Sequence, residues 1–126
     1  MATILIVDDE EPVRDLLAIL LEDAGHRTLR AIHGRQALDL IEAEPPDLVI
    51  SDVMMPVLNG HELEERLQAR PGTRHIPVIL MSAAWEHGAG AIEADRFLAK
   101  PFDFRELERL VQRWLAPARR AAERPD

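Results

Sequence analysis

Lys100 is the only lysine among the 15 lysine and arginine residues of this 126-residue chain. It stands in Phe97-Leu98-Ala99-Lys100-Pro101-Phe102. Arginine offers a rigid planar fork, whereas lysine offers a compact point charge on a flexible stem. A chain that otherwise uses arginine and keeps one lysine has reason to need an ammonium there. Two other apolar runs end in carboxylate. Ile4-Leu5-Ile6-Val7 leads into Asp8-Asp9-Glu10, and Leu48-Val49-Ile50-Ser51 leads into Asp52. Acids and one amine at such ends suit a small site for a divalent metal and a phosphoryl group. Hard oxygens would hold the cation, and the ammonium would offset phosphoryl charge.

These residues need elements that bring them together. Ile4–Val7, Leu48–Ile50 and Val78–Met81 are continuous aliphatic runs, the pattern of strands covered on both faces. Arg27–Ala31 is more polar, as an edge strand would be, and Arg96–Ala99 is a short fifth candidate. Val13, Leu16, Leu17, Leu20 and Ala24 recur at helical spacing, with Pro12 in a favourable first turn and Gly25 as a stop. Ala37, Leu38 and Ile41 mark a second helix, and Leu63 and Leu67 a third. Phe104, Leu107, Leu110, Val111 and Trp114 mark the last, with Asp103 and Glu106 spaced as a capping box. Strand and helix alternate five times, which implies a parallel sheet with helices on both faces. Ligands in such sheets bind beyond the carboxyl ends of the strands. Asp8, Asp9, Asp52, Ser82 and Lys100 all follow expected strands.

Composition narrows the function. The length suits one domain, burying roughly two thirds of its unfolded surface. A net charge of −8 disfavours direct nucleic acid binding, which needs a basic face. Cysteine is absent, which removes disulfides, thiolate catalysis and zinc–thiolate sites. No apolar run reaches a membrane-spanning length, and the first residues read as a strand and not as a signal peptide. A cytoplasmic protein without membrane insertion is expected.

The chain resembles the receiver domain of bacterial two-component response regulators, over residues 3 to about 115. The densest likeness is Asp52-Val53-Met54-Met55-Pro56-Val57-Leu58-Asn59-Gly60, similar to the family's phosphoacceptor segment. Pro77-Val78-Ile79-Leu80-Met81-Ser82-Ala83 and Lys100-Pro101-Phe102 match its fourth and fifth strand ends. The resemblance implies a flavodoxin-like α/β fold, a doubly wound five-stranded parallel sheet of order 2-1-3-4-5. It implies Asp52 as phosphoacceptor and Mg²⁺ as cofactor. Asp9, Asp52 and the Met54 carbonyl would ligate the metal, with Asp8 acting mainly through water. Ser82 would contact the phosphoryl oxygen with Ala83 beside it, and Lys100 would neutralise phosphoryl charge. A cis peptide before Pro101 is implied, and Phe97 takes the place of the switch aromatic that turns inward as Ser82 moves.

One departure concerns the stretch between Ser82 and Lys100. It is about one helical turn shorter than is usual in the family, and Gly88 and Gly90 weaken any helix there. Residues 84–94 are therefore expected to be short or mobile. Residues 1–116 are expected to form the receiver and residues 117–126 a flexible tail or the start of a linker. The chemistry expected is self-phosphotransfer and self-dephosphorylation only. Expected partners are a sensor histidine kinase or histidine phosphotransfer protein and a downstream protein of unknown identity, with homodimerisation left open. Two alternatives compete with this phosphorelay switch. An aspartate-based phosphohydrolase would carry an acid two residues after the nucleophile, where Met54 stands. A partner-binding pseudo-receiver would lack part of the acid–lysine set, which is complete here.

Overall fold

The structure is a computed structural model that describes residues 1–83 and 96–115. The helix expected within residues 84–94 and the tail expected at 117–126 lie outside these residues. Five strands form one parallel sheet: β1 (Thr3–Val7), β2 (Arg27–Ala31), β3 (Leu48–Asp52), β4 (Val78–Ser82) and β5 (Phe97–Ala99). Their order is β2-β1-β3-β4-β5, the flavodoxin-like order expected. The described helices are α1 (Glu11–Asp23), α2 (Gly34–Ala43), α3 (Gly60–Gln68) and α4 (Phe104–Leu115).

The period of two in a strand divides the core into two layers. Leu5, Val7, Val49, Val78, Leu80 and Phe97 face Ala37 and Ile41 of α2 and Leu63 and Leu67 of α3. Ile4, Ile6, Leu48, Ile50, Ile79, Met81 and Leu98 face Leu17 and Leu21 of α1 and Leu107, Leu110 and Val111 of α4. Every residue of β3 and β4 is buried. Strands packed on both faces are apolar along most of their length, which is why Leu48–Ile50 and Val78–Met81 read as continuous runs, and polar residues enter only at their carboxyl ends. β2 lies at the sheet edge and is largely half-buried or exposed, with only Ala31 buried.

Helix caps differ in part from expectation. Asn59 and Glu62 form a reciprocal box at the start of α3, each side chain accepting the other's backbone N–H at 2.9 Å. At α4, Asp103 Oδ1 accepts the Arg105 N–H at 2.7 Å, and Glu106 pairs with Arg109. The expected Asp103–Glu106 box is therefore replaced by a tighter local turn. The segment joining β3 to α3 is drawn in by Gly60, whose N–H donates to Val53 O at 3.0 Å. A Cβ at Gly60 would stand 2.5 Å from Asp52 O, so only glycine permits this approach.

Candidate functional site

β1, β3 and β5 end on the same rim of the sheet, with β4 between β3 and β5, and the residues at their ends bring charged groups to one place. Asp8 follows β1 and is fully buried. Its N–H donates to Ala31 O at 3.1 Å, and its Oδ1 accepts the Glu10 N–H at 2.8 Å. That short turn brings Glu10 back over the sheet end and leaves the Asp9 side chain exposed. Arg14, one turn into α1, donates to Asp8 O at 2.7 Å and fixes the turn from the helix side.

Asp52 is the last residue of β3 and is 6% exposed. Its Oδ1 accepts the Met54 N–H at 3.3 Å. The Met54 side chain points away from the core and is exposed. Lys100 directly follows β5. Its Nζ lies 2.8 Å from Asp8 Oδ2, 3.1 Å from Glu10 Oε1 and 3.1 Å from Asp52 Oδ2. Its backbone N–H donates to Ser82 O at 3.1 Å, which holds the ends of β4 and β5 together. Ser82 is buried, Ala83 after it is exposed, and the Lys100–Pro101 peptide is cis. Phe97 is 8% exposed and packs into the α2–α3 side of the core, so its ring is turned inward.

The electrostatics follow from three carboxylates sharing one ammonium in a half-dry cleft. Burial raises the Asp52 pKa. The Lys100 ammonium and the Met54 N–H pull it partly back, and the Asp8 charge pushes it up. Burial also works against a charged Lys100, but the bonds to Asp8, Asp52 and Glu10 outweigh it and hold its pKa above the ordinary lysine value. The two directions agree physically. With all groups ionised, three negative charges face one positive charge, so the cation is over-supplied with partners and the carboxylates are under-neutralised.

That imbalance is the test of fit for a metal. Asp8, Glu10 and Asp52 place one carboxylate oxygen each within 4.8 Å of the others. Asp8 Oδ2 is buried, finds no hydrogen-bond donor in good geometry among the described residues, and relies on the charge of Lys100 2.8 Å away. The remaining excess of two negative charges matches a divalent cation, and an all-oxygen donor set suits magnesium. The residues fit.

Sequence reading brought Asp8, Asp9, Asp52, Ser82 and Lys100 to one rim. In the structure Asp8, Asp52 and Lys100 meet there, Ser82 joins through its backbone carbonyl, and the Asp9 side chain is exposed. It did not single out Glu10, which stands closer to the cluster than Asp9 does. Three successive acids after a strand carry no signal for which one turns inward.

The sequence profile described as "Response regulator receiver domain" matches residues 4–112. The chain is 41% identical over 109 residues to the phosphate regulon transcriptional regulatory protein PhoB of Pseudomonas aeruginosa, covering 83% of this chain and 48% of that protein. It thus spans about half of that relative's length. It is 36% identical over 116 residues to sporulation initiation phosphotransferase F of Bacillus subtilis, covering 89% of this chain and 92% of that one. Among solved structures it is similar to the receiver domain of the sensor histidine kinase PA1611 from Pseudomonas aeruginosa, which carries a magnesium ion in its active-site cleft. The TM-score is 0.81 at 29% identity, over 90% of this chain and 97% of that one.

Proposed function

The chain belongs to the response regulator receiver domain family of two-component systems, and we propose that Asp52 is the residue on which it accepts a phosphoryl group. The observation that carries this is the position of Asp52 Oδ2. It stands at a buried strand end, 3.1 Å from the only lysine ammonium of the chain. One Asp52 oxygen attacks the phosphorus of a phosphohistidine in a donor protein. The P–N bond breaks, the imidazole leaves with its electron pair and takes a proton, and an acyl phosphate remains on Asp52. Water attacking phosphorus later returns the free carboxylate and releases phosphate.

Carboxylate and phosphoryl repel one another, so the reaction needs positive charge at the site. Asp8, Asp52 and the Met54 carbonyl would hold Mg²⁺ together with Asp9, whose exposed side chain would have to turn toward the cluster that Glu10 now completes. The ion would supply charge that draws the two anions together and screens the charge developing on phosphorus. Lys100 stands ready to pair with a phosphoryl oxygen once its bond to Asp52 is exchanged. The Ser82 hydroxyl, at the neighbouring strand end, would take another such oxygen, and Ala83 beside it would leave the entrance open. Phe97 would follow Ser82 as the switch. The donor would be a sensor histidine kinase or a histidine phosphotransfer protein, and a partner-binding face would carry the signal onward in the cytoplasm. Residues 1–116 would form the receiver unit. No helix of the described residues is long and apolar enough to cross a membrane.

Intact-mass measurement after incubation with acetyl phosphate and Mg²⁺ tests this. One phosphate should be added, and EDTA or Asp52→Asn should abolish it. Phosphate that persists on the Asn variant would remove Asp52 from the role.

A further inference from the structure

β5 is only three residues long, lies at the end of the sheet and pairs with β4 alone among the described strands. So short a ladder contributes few hydrogen bonds to hold its position, yet β5 carries Lys100 into the site. Each end of β5 is anchored by a cation. At the carboxyl end Lys100 pairs with Asp8, Glu10 and Asp52. At the amino end Arg96, the residue just before β5, pairs through Nη1 with Glu64 Oε2 on α3. This second pair is sheltered, the Arg96 side chain being 23% exposed and the Glu64 side chain 17%. Glu65 and Gln68 of α3, and Ala69 just after it, line the same wall.

We propose that the Glu64–Arg96 ion pair is a positioning device for Lys100. It sets where β5 sits along β4, and so sets the reach of the ammonium toward the phosphoryl group. The step from Arg96 to Lys100 is four residues, roughly 13 Å of extended chain at about 3.3 Å per residue. Over that length a strand behaves as a stiff rod, so a shift at one end appears at the other. α3 is a sound anchor, because its first turn is tied to the acceptor loop by the Asn59–Glu62 box and by the Gly60 N–H to Val53 O bond. The chain thus gauges the distance between the Asp52 segment and Lys100 from both sides of the sheet end. The proposal rests on reading Lys100 as the cation that meets the phosphoryl group.

Binding of beryllofluoride with Mg²⁺, measured by titration calorimetry beside thermal melts, tests it. Glu64→Gln and Arg96→Gln should each weaken mimic binding about tenfold, a coupling within the range seen for contacting residues. The charge swap E64R/R96E should recover most of that loss. Melting points will fall in the single variants whether the pair is a positioning device or a mere brace, so the affinity and its rescue decide. Wild-type affinity in a folded Glu64→Gln protein, or no rescue in a folded swap, would overturn the proposal alone. Failure of the unmodified protein to bind the mimic, or equal binding by Asp52→Asn, would overturn the phosphoacceptor reading and this proposal with it.

Discussion

Lys100 Nζ and Asp52 Oδ2 lie 3.1 Å apart, but their bond leaves the two partners unequally served. The ammonium has two further carboxylates within 3.1 Å, whereas Asp52 shares its cation with both of them. This inequality lies behind the raised pKa of Asp52: burial dominates, and the shared lysine only partly offsets it.

Asp52→Asn should therefore stabilise the protein at neutral pH. A carboxyl whose pKa is raised on folding binds its proton more tightly folded than unfolded, so stability falls as pH rises from the ordinary carboxylate value through the raised one. Above that window the wild type carries a constant penalty that the amide lacks. Urea unfolding at pH 7 should show a gain on the order of 1 kcal/mol, the usual scale of a single substitution. The gain should vanish below about pH 3, well under the ordinary carboxylate value, where Asp52 is protonated in both states. An equal difference at both pH values would assign the effect to packing and not to charge.

Mg²⁺ should stabilise the unmodified protein by offsetting the same excess of negative charge. Linkage sets the size: about 2.7 kcal/mol at a free concentration one hundred times Kd. The melting temperature should climb with Mg²⁺ and return with EDTA. Asp8→Asn, which removes a charge from the fully buried carboxylate beside Lys100, should flatten the response. A response unchanged in Asp8→Asn would place the ion elsewhere.

The fold was legible because burial on both faces keeps a strand apolar up to its carboxyl end. β1, β3 and β4 announce themselves as aliphatic runs, and the polar residues that end them, Asp8, Asp52 and Ser82, mark the rim where ligands bind. Legibility fails where a contact depends on a turn that local pattern does not encode. Nothing in Asp8-Asp9-Glu10 says that Asp9 turns out and Glu10 turns back. The partnership of Glu64 and Arg96 is likewise unreadable, since it joins a helix to a strand start 32 residues on. The Asn59–Glu62 box could have been found from its spacing alone. The spacing of Asp103 and Glu106 was equally good, yet Asp103 bonds to Arg105, which shows how weak that signal is by itself.

Val57 is another feature that pattern hides. It is the centre of a three-residue turn in which Leu58 N–H donates to Pro56 O at 2.8 Å, and its φ is 71°. Left-handed backbone costs a side-chain-bearing residue about 1–2 kcal/mol, and turns of this hand are rare. Val57 is 75% exposed, so little packing offsets that cost. Val57→Gly should raise stability by up to about 1 kcal/mol, because glycine has no Cβ and enters positive φ without steric cost. Phosphate acceptance from acetyl phosphate should be unchanged. Destabilisation by Gly in a thermal melt would show that the valine side chain makes up for its backbone.

Lys100 offers the most direct reading of the site, because its amine and the N-terminus are the only primary amines of the chain. The carboxylates of Asp8, Asp52 and Glu10 hold the ammonium protonated against the opposing effect of burial. Only the free amine reacts with acylating reagents, so Lys100 should label more than about tenfold slower than an unperturbed lysine. Peptide mass analysis at a fixed pH reads this against the N-terminus as an internal standard. Asp52→Asn should speed the labelling moderately, since two carboxylates remain. Mg²⁺ with beryllofluoride should slow it further in the wild type, as a mimic on Asp52 brings more negative charge to the ammonium, and should leave the Asn variant unchanged. Labelling at the free-lysine rate in both conditions would mean that Lys100 spends its time outside the cluster, and the ammonium could not then be the group that meets the phosphoryl.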